Sequence, residues 1–143
     1  MELTELAKGY YRAYERDDRA FVENNLAPGF TFTSPFDEHI GREDYFRRCW
    51  PDVIIHKTFN FVTVMQSGDR VFVAYDAEMR MPNAVHPAAR FRNAELMTFQ
   101  QGKLKSVEVF FGDPPRGLTR REFAVESGAG RSYADITISL YHA

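Results

Sequence analysis

Four runs in the middle of the chain alternate apolar and polar residues, which is typical of strands that bury one face. They span residues 54–66, 70–81, 90–100 and 103–112. Ser67-Gly68-Asp69 and Gln101-Gly102-Lys103 are hairpin-type connections, whereas residues 82–87 form a longer irregular loop between two prolines. We therefore expect adjacent strands to be antiparallel, in a curved sheet with one apolar face and one mostly polar face.

A helical pattern precedes the strands. In a first helix, for which Thr4 can serve as the cap, apolar residues recur at i, i+4, i+7 and i+8, namely Leu6, Tyr10, Ala13 and Tyr14. The Asp17-Asp18 pair ends this helix or caps the next. A short second helix then includes Leu26 and closes at Pro28-Gly29. The two helices form a helical hairpin.

A short strand and a third helix lie between this hairpin and the long strands. Residues 30–34 alternate aromatic and hydroxyl side chains, and Pro35 ends the strand because proline cannot donate to a ladder. A loop follows from Phe36 to Gly41. The pattern from Glu43 to Trp50 predicts a third helix, which Pro51 stops.

One carboxylate, Glu95, lies in an otherwise largely apolar row. Because side chains alternate faces along a strand, Glu95 shares its face with Phe91, Asn93, Met97 and Phe99. Burying a carboxylate costs several kcal/mol unless the group is paired, hydrogen-bonded or protonated. Glu95 therefore predicts a lined cavity more than a packed core, with the pKa of its carboxyl raised by desolvation.

Composition and charge argue against several classes of function. At 143 residues the chain fits one domain. A net charge of −2 without a basic stripe argues against nucleic-acid binding, and no apolar run approaches the roughly 20 residues of a membrane helix. The single cysteine, Cys49, excludes an internal disulfide, and the N-terminus has neither a basic nor an apolar leader region. We expect a cytoplasmic protein.

Metal and cofactor motifs are missing from the sequence. No pair of histidines has the spacing of metal ligands, so we expect no intrinsic metal. Gly128-Ala129-Gly130 is too short for a phosphate loop and lacks the strand-to-helix context, so we expect no nucleotide cofactor. Cys49 has no evident basic partner and is interpreted as a buried thiol.

Three segments carry a resemblance to a known family: residues 30–35, 45–51 and 94–99, which read FTFTSP, YFRRCWP and AELMTF. With the order of elements, the chain from Leu3 to Gly112 resembles the nuclear transport factor 2-like superfamily, in particular its SnoaL-like and ketosteroid isomerase-like members. The resemblance implies an α+β fold, a cystatin-like cone. In it a curved mixed, mainly antiparallel sheet wraps around an N-terminal helical hairpin and a third short helix, and a blind pocket opens between them. It also implies a homodimer joined through the outer side of the sheet.

The resemblance assigns roles to particular residues. Glu95 falls where ketosteroid isomerases carry a protonated aspartic acid that hydrogen-bonds a developing oxyanion, and Tyr10 falls near their oxyanion-binding tyrosine. Ser34 occupies the position of the proton-shuttling aspartate, and a serine cannot shuttle a proton at neutral pH. Ketosteroid isomerase activity would therefore need Asp37 or His39 to substitute.

These considerations define two groups of candidate site residues. The candidate catalytic residues are Glu95, Tyr10, Asp37 and His39. Trp50 can stack on a flat ligand, and the apolar residues of the last strand would line the floor of the pocket. The candidate substrate-binding residues are Tyr14, Phe32, Ser34, Trp50, Asn93, Val107, Val109 and Phe111.

The leading functional hypothesis is a cofactor-independent acid-base enzyme of the isomerase, dehydratase, cyclase or hydrolase type, acting on an apolar or aromatic small molecule. Two alternatives stay open: a non-catalytic protein that binds a small ligand in the same pocket, and a dimerisation module of the same fold. We assign residues 1–112 to the domain. Residues 113–143 are predicted to be a C-terminal extension and not a second domain, because their apolar content is too thin for a core of their own.

Overall fold

The computed structural model describes residues 2–50, 56–80 and 88–112 of the chain. Within them lie three helices and six strands. The helices are α1 (Leu3–Glu15), α2 (Arg19–Asn24) and α3 (Arg42–Cys49). The strands are β1 (Leu26–Ser34), β2 (Asp37–Ile40), β3 (His56–Ser67), β4 (Arg70–Arg80), β5 (Ala88–Gln100) and β6 (Lys103–Phe111).

The six strands form one sheet in the order β2-β1-β6-β5-β4-β3. Four neighbouring pairs are antiparallel, and β1 pairs with β6 in parallel. The parallel pair arises because the chain returns to β1 only through the whole β3–β6 meander. The mixed, mainly antiparallel sheet with helices from the N-terminal half confirms the predicted α+β fold class.

Two predictions about helix ends are wrong. Helix α1 begins after Glu2, whose side chain makes no capping hydrogen bond, and Thr4 lies inside the helix. Leu26 belongs to β1 and not to the second helix, because it pairs with Leu104 of β6. The expected Asp18 cap is present: its carboxylate accepts a hydrogen bond from the Phe21 amide at 3.1 Å and begins α2.

The segment expected to be a loop from Phe36 to Gly41 contains a strand. Ser34 pairs with Asp37 and Phe32 pairs with Ile40, so β1 and β2 form a tight hairpin. His39 has a left-handed backbone conformation with φ of 49°, in the stretch of β2 where the register of this hairpin shifts. The alternation of residue types in four residues was too short to indicate this strand.

The inner face of the sheet and the helices bury one aromatic core. Alternate residues of β4, which are Val71, Val73, Tyr75 and Ala77, are all buried. Tyr11 of α1 packs edge-on against Phe59, Phe61 and Tyr75, with ring centroids 5.2–5.4 Å apart. Edge-to-face pairs of this kind add stabilisation beyond the area they bury.

Side chains of α1 bind the backbone of β3, which lies at one end of the described strand order. The Glu15 carboxylate accepts a hydrogen bond from the Phe59 amide at 2.9 Å, and Arg12 donates one to the Phe59 carbonyl at 3.2 Å. Arg12 and Glu15 also bind each other. Nearby, the buried ammonium of Lys57 pairs with Asp17 at 2.7 Å. These contacts connect α1 and the residues just after it to β3.

Several predictions lie outside the described residues. They concern the loop at 82–87 and the whole extension from residue 113. The division of the chain into residues 1–112 and 113–143 therefore stays a prediction. Within the described ranges, no helix has the length and apolar character needed to cross a membrane.

Candidate active site

Glu95 lies in the middle of β5 on the inner face of the sheet. It is opposite Val73 of β4 and Val109 of β6, both of which are buried. Tyr75 is opposite Asn93, two positions along the same face, and a diagonal neighbour at that spacing is within reach of an aromatic side chain. The carboxylate is thus built into the rigid centre of the sheet.

Two tyrosine hydroxyls approach the Glu95 carboxyl. Tyr75 donates a hydrogen bond of 2.6 Å to Glu95 Oε2. The Tyr11 hydroxyl, which α1 brings over the sheet, is buried without an aligned hydrogen-bond partner and lies near enough for Glu95 to affect its pKa. The side chain of Glu95 itself retains intermediate exposure. Two tyrosine hydroxyls therefore lie beside the Glu95 carboxyl.

Burial raises the pKa of the Glu95 carboxyl above its ordinary value, and the hydrogen bond from Tyr75 and the nearby Tyr11 hydroxyl oppose part of that increase. Burial is also the largest cause of the raised pKa values of Tyr75 and Tyr11, and the charge of Glu95 raises both further. The phenols therefore stay protonated donors at neutral pH. Glu95 can hold a proton at pH values where an exposed glutamate has lost it.

Replacing Glu95 with glutamine should stabilise the protein more at pH 8 than at pH 4. Because the pKa of Glu95 is higher in the folded than in the unfolded state, the folded state binds more protons between the two values, and stability falls as pH rises through that window. Glutamine removes this loss. Thermal unfolding of both proteins at the two pH values measures the difference in stability, and Glu38→Gln at an exposed position of β2 corrects for the loss of one negative charge. An equal effect of Glu95→Gln at both pH values would contradict the prediction.

Tyr14 of α1 adds a third tyrosine near Glu95. Its hydroxyl forms a short contact with the Tyr45 hydroxyl of α3, and its ring packs on Trp50 with centroids 4.6 Å apart. Burial raises the pKa of Tyr14, with smaller increases from Cys49 and from Glu95. The predicted substrate-binding residues Tyr14 and Trp50 are therefore neighbours, and Tyr14 lies near enough to Glu95 for its charge to act there.

Tyr10 is placed differently from the catalytic role predicted for it. Its hydroxyl donates a 2.7 Å hydrogen bond to the Asn25 carbonyl, and its ring packs against Phe21 and Phe99. Burial raises its pKa to about 12. The hydroxyl joins α1 to the end of α2, and Tyr11, the next residue, faces Glu95 instead.

Asp37 and Ser34 form a structural group on the β1–β2 hairpin. Ser34 donates to Asp37 Oδ2 at 2.8 Å, and Asp37 Oδ1 lies 2.8 Å from Nε of Arg48 in α3 as an ion pair and not an aligned hydrogen bond. The carboxylate is completely buried and the guanidinium is 11% exposed. The structure thus gives Asp37 an arginine partner in place of a substrate-facing position.

His39 is exposed on β2, at the end of the sheet. Three strand spacings separate β2 from β5, which is about 14 Å along the sheet. Its backbone amide donates to the Thr33 hydroxyl at 3.2 Å. Among the four predicted catalytic residues, the structure does not bring Asp37, His39 or Tyr10 into contact with Glu95.

The other predicted binding residues lie on the inner face. Asn93, Val107 and Val109 are buried there, and Asn93 lies opposite Tyr75 in the register of β4 and β5. Phe32 packs on Tyr45 with centroids 4.9 Å apart, so it joins β1 to α3. Phe111 packs against Phe36 at 5.4 Å, near the end of β6.

Tyr75 and Tyr11 were not among the predicted site residues. The alternation in β4 placed Tyr75 on the apolar face, but the sequence of residues 82–87 contains no hairpin turn motif and leaves the register between β4 and β5 undetermined. Only that register brings Tyr75 beside Glu95. For Tyr11, the apolar periodicity of α1 selected its neighbours Tyr10 and Tyr14 and did not resolve the exact rotation of the helix.

A groove with a volume of about 680 Å³ is formed by residues of α2 and α3 together with Trp50. It is lined by Arg19, Glu23, Arg42, Glu43, Phe46, Arg47 and Trp50. Trp50 therefore contributes to this groove and also packs against Tyr14. The other groups of the Glu95 cluster do not line it.

No cluster of three or more His, Cys, Asp or Glu side chains that could hold a metal ion occurs in the ranges 2–50, 56–80 and 88–112. Glu95 and the tyrosines beside it can carry out proton transfer and hydrogen bonding by themselves. Glu95 supplies a titratable proton, and Tyr11 supplies a phenol that is buried without an aligned partner.

The fold agrees with one family. A model of the SnoaL-like domain matches residues 7–107, which is more than half of the chain. The chain belongs to the SnoaL-like domain family, as the three sequence segments predicted. No match to the sequence was found among curated proteins.

Solved structures with the same fold come from several bacteria. A candidate polyketide cyclase from Pseudomonas putida has a TM-score of 0.64 at 14% identity, covering 89% of this chain and 98% of its own. IdmH, a candidate polyketide cyclase from Streptomyces antibioticus, has a TM-score of 0.62 at 15% identity, with coverages of 77% and 91%. A nuclear transport factor 2-like protein of unknown function from Burkholderia pseudomallei has a TM-score of 0.62 at 19% identity, with coverages of 78% and 92%. At these identities the likeness shows the fold, a nuclear transport factor 2-like cone.

Proposed function

We propose that this SnoaL-like protein binds an apolar or aromatic small molecule on the inner face of its sheet and transfers a proton to or from it with Glu95. The observation that carries the proposal is the Glu95 carboxyl on the inner face of the sheet, with a hydrogen bond from Tyr75 and with the Tyr11 hydroxyl beside it without an aligned bond. The two candidate polyketide cyclases of the same fold support a substrate of this class.

The donors of the cluster favour a substrate with a carbonyl oxygen. The Tyr11 hydroxyl lies beside Glu95 but forms no aligned hydrogen bond. A ketone or enolate oxygen bound there could accept one from it, and the bond would strengthen as negative charge develops on the oxygen. Isomerases, dehydratases and cyclases all use proton transfer at the carbon next to a carbonyl. The proposal therefore leaves the choice among these three reaction classes open.

The test is the exchange of α-protons in a bicyclic aromatic ketone, 2-tetralone, followed by NMR in D₂O. The proposed function predicts exchange above the rate in buffer, saturating with ketone concentration. Saturable binding without acceleration would favour a non-catalytic binding protein, which is the second candidate, because the raised pKa of Glu95 is compatible with a hydrogen-bonding role alone. Neither exchange nor binding of any ketone in a panel of this class would contradict both.

We also propose that the protein is a homodimer joined by the outer face of the sheet. The strand registers align two rows across that face: Met65, Phe72 and Leu96, which Glu108 of β6 continues, and then Ala74, Ala94 and Phe110. Met65 is 57% exposed and Phe110 is 46% exposed. Polar cross-strand pairs, Asp76–Arg92 and Glu78–Arg90, follow along the same face. An apolar centre with a polar rim suits a two-fold interface.

Leu96→Lys should convert a dimer into a monomer, because it places one charge from each subunit near the centre of the proposed interface. Light scattering at micromolar concentration measures the change in mass. Gln100→Lys introduces the same residue at the exposed end of β5 and should leave the dimer intact. A wild-type protein that is already monomeric at this concentration would contradict the proposal.

A further inference from the structure

The turn between β1 and β2 carries an aromatic side chain, Phe36, that is only partly buried. Its ring packs edge-on against Phe111 of β6, with centroids 5.4 Å apart, and Phe111 is also only partly buried. Rings of a closed core are almost completely covered, as those of Phe30 and Phe59 are here. Phe36 and Phe111 therefore present an apolar aromatic surface that a further ring can join.

The strand register places this aromatic pair next to Glu95. Phe111 lies opposite Asn93, and Val109, two residues before Phe111, lies opposite Glu95. All four residues share the inner face of the sheet. Residues that are diagonal to each other on neighbouring strands are about 7–8 Å apart, which is within reach of an aromatic side chain. Phe111 is such a diagonal neighbour of Glu95, and Phe36 extends the aromatic surface from there.

Three polar side chains hold the turn that presents Phe36. The Phe36 amide donates to the Ser34 hydroxyl at 3.1 Å, and this hydroxyl donates to Asp37 Oδ2 at 2.8 Å. From α3, Nη2 of Arg48 donates to the Phe36 carbonyl at 3.5 Å, while Nε of Arg48 lies 2.8 Å from Asp37 Oδ1. The amide and the carbonyl of Phe36 are thus both bound by members of one polar group.

The burial of this group indicates a role in geometry. The Asp37 carboxylate is completely buried and the Arg48 guanidinium is 11% exposed. Removing two charges from water costs about as much as their attraction returns, so a buried ion pair stabilises a protein no better than apolar residues of similar size. What the pair supplies is one defined arrangement of the groups that it binds, and these include the backbone of Phe36.

We propose that Phe36 determines the size of the ring system that is accepted beside Glu95, and that Ser34, Asp37 and Arg48 position Phe36 for this task. The proposal rests on the proposed function, because it concerns the part of the substrate that takes no part in proton transfer. An aromatic ring of the ketone packs against the Phe111–Phe36 surface while the carbonyl end lies at Glu95. Phe36 is then a specificity-determining residue and not a catalytic one.

Phe36→Ala tests the specificity role by binding alone. The probes are 2-tetralone and its tricyclic analogue tetrahydrophenanthren-2-one, and titration gives both dissociation constants. The variant should bind 2-tetralone about tenfold more weakly, because a ring contact is lost. It should bind the tricyclic ketone at least as tightly as the wild type does, because the third ring fills the space that the Phe36 ring leaves. An unchanged ratio of the two constants would overturn the role of Phe36.

Ser34→Ala tests the positioning group, because it removes the hydroxyl that binds both Phe36 and Asp37. The 2-tetralone concentration that gives half of the maximal exchange rate should rise about fivefold, while the rate at saturation should stay unchanged. Ser34→Thr keeps a hydroxyl and should restore wild-type values. Thr33→Ala is the matched control, because the Thr33 hydroxyl binds the His39 amide of the same hairpin. A fall in the saturated rate alone would overturn the positioning role.

A measurement without ligand keeps the proposal independent of the reaction. Nuclear Overhauser effects between the Phe36 and Phe111 rings should be present in the wild type, weaken in Ser34→Ala and persist in Thr33→Ala. Their persistence in Ser34→Ala would overturn the positioning role even if neither ketone binds. If both ketones bind without exchange, the proposed chemistry of Glu95 fails while the role of Phe36 can still hold. Exchange with an unchanged ratio in Phe36→Ala would remove only the present inference.

Discussion

Glu95→Gln should reduce the rate of α-proton exchange in 2-tetralone by about 10²–10⁴-fold, the usual contribution of a general acid or base. Glutamine keeps the shape of the side chain and can still accept the hydrogen bond from Tyr75, but it carries no transferable proton. The dissociation constant of the ketone should therefore change little. NMR exchange rates and a binding titration on the same two proteins separate the two quantities.

Glu38→Gln is the control for this experiment, since Glu38 is exposed on β2, which is separated from β5 by β1 and β6. It should keep the wild-type exchange rate. Should Glu95→Gln also keep that rate, Glu95 does not carry the chemistry and the non-catalytic binding protein becomes the better hypothesis.

Asp37→Asn should lower the free energy of unfolding by about 3–5 kcal/mol, because it leaves the guanidinium of Arg48 buried without its counter-charge. The carboxylate is completely buried and the arginine is 11% exposed, so solvent cannot replace the lost partner. Urea unfolding followed by circular dichroism measures the change.

An exposed ion pair within α3, the helix that contains Arg48, provides the comparison. Asp44 and Arg47 are 2.7 Å apart, but their side chains are 53% and 59% exposed. Asp44→Asn should therefore cost less than about 1 kcal/mol. If Asp37→Asn abolished ketone exchange while leaving stability intact, Asp37 would be catalytic, as its position after β1 predicted, and the structural role would be refuted.

The sequence predicted the fold well because the fold depends on long periodic segments. In each strand from β3 to β6, apolar and polar residues alternate over nine residues or more. This alternation indicates which residues face the core. The assignment to the SnoaL-like family followed from segments in β1, α3 and β5. The errors occur where the signal is short, as in the four residues of β2.

The candidate site was less predictable because it depends on geometry between elements. Alternation correctly put Glu95 on the face of Asn93 and Met97, but its partners are decided by strand register and helix rotation. Tyr10 and Tyr11 are adjacent in sequence, and a 100° turn of the helix sends one to the Asn25 carbonyl and the other towards Glu95. No local pattern encodes such a choice.

The contacts of Arg12 and Glu15 with Phe59 have a consequence for self-association. An edge strand offers unpaired amides and carbonyls to any other extended chain, and such edges are templates for aggregation. At Phe59 both groups are already occupied by side chains of α1. An incoming strand would have to displace a charged pair before it could add there, so the helix protects the middle of β3 from intermolecular strand addition.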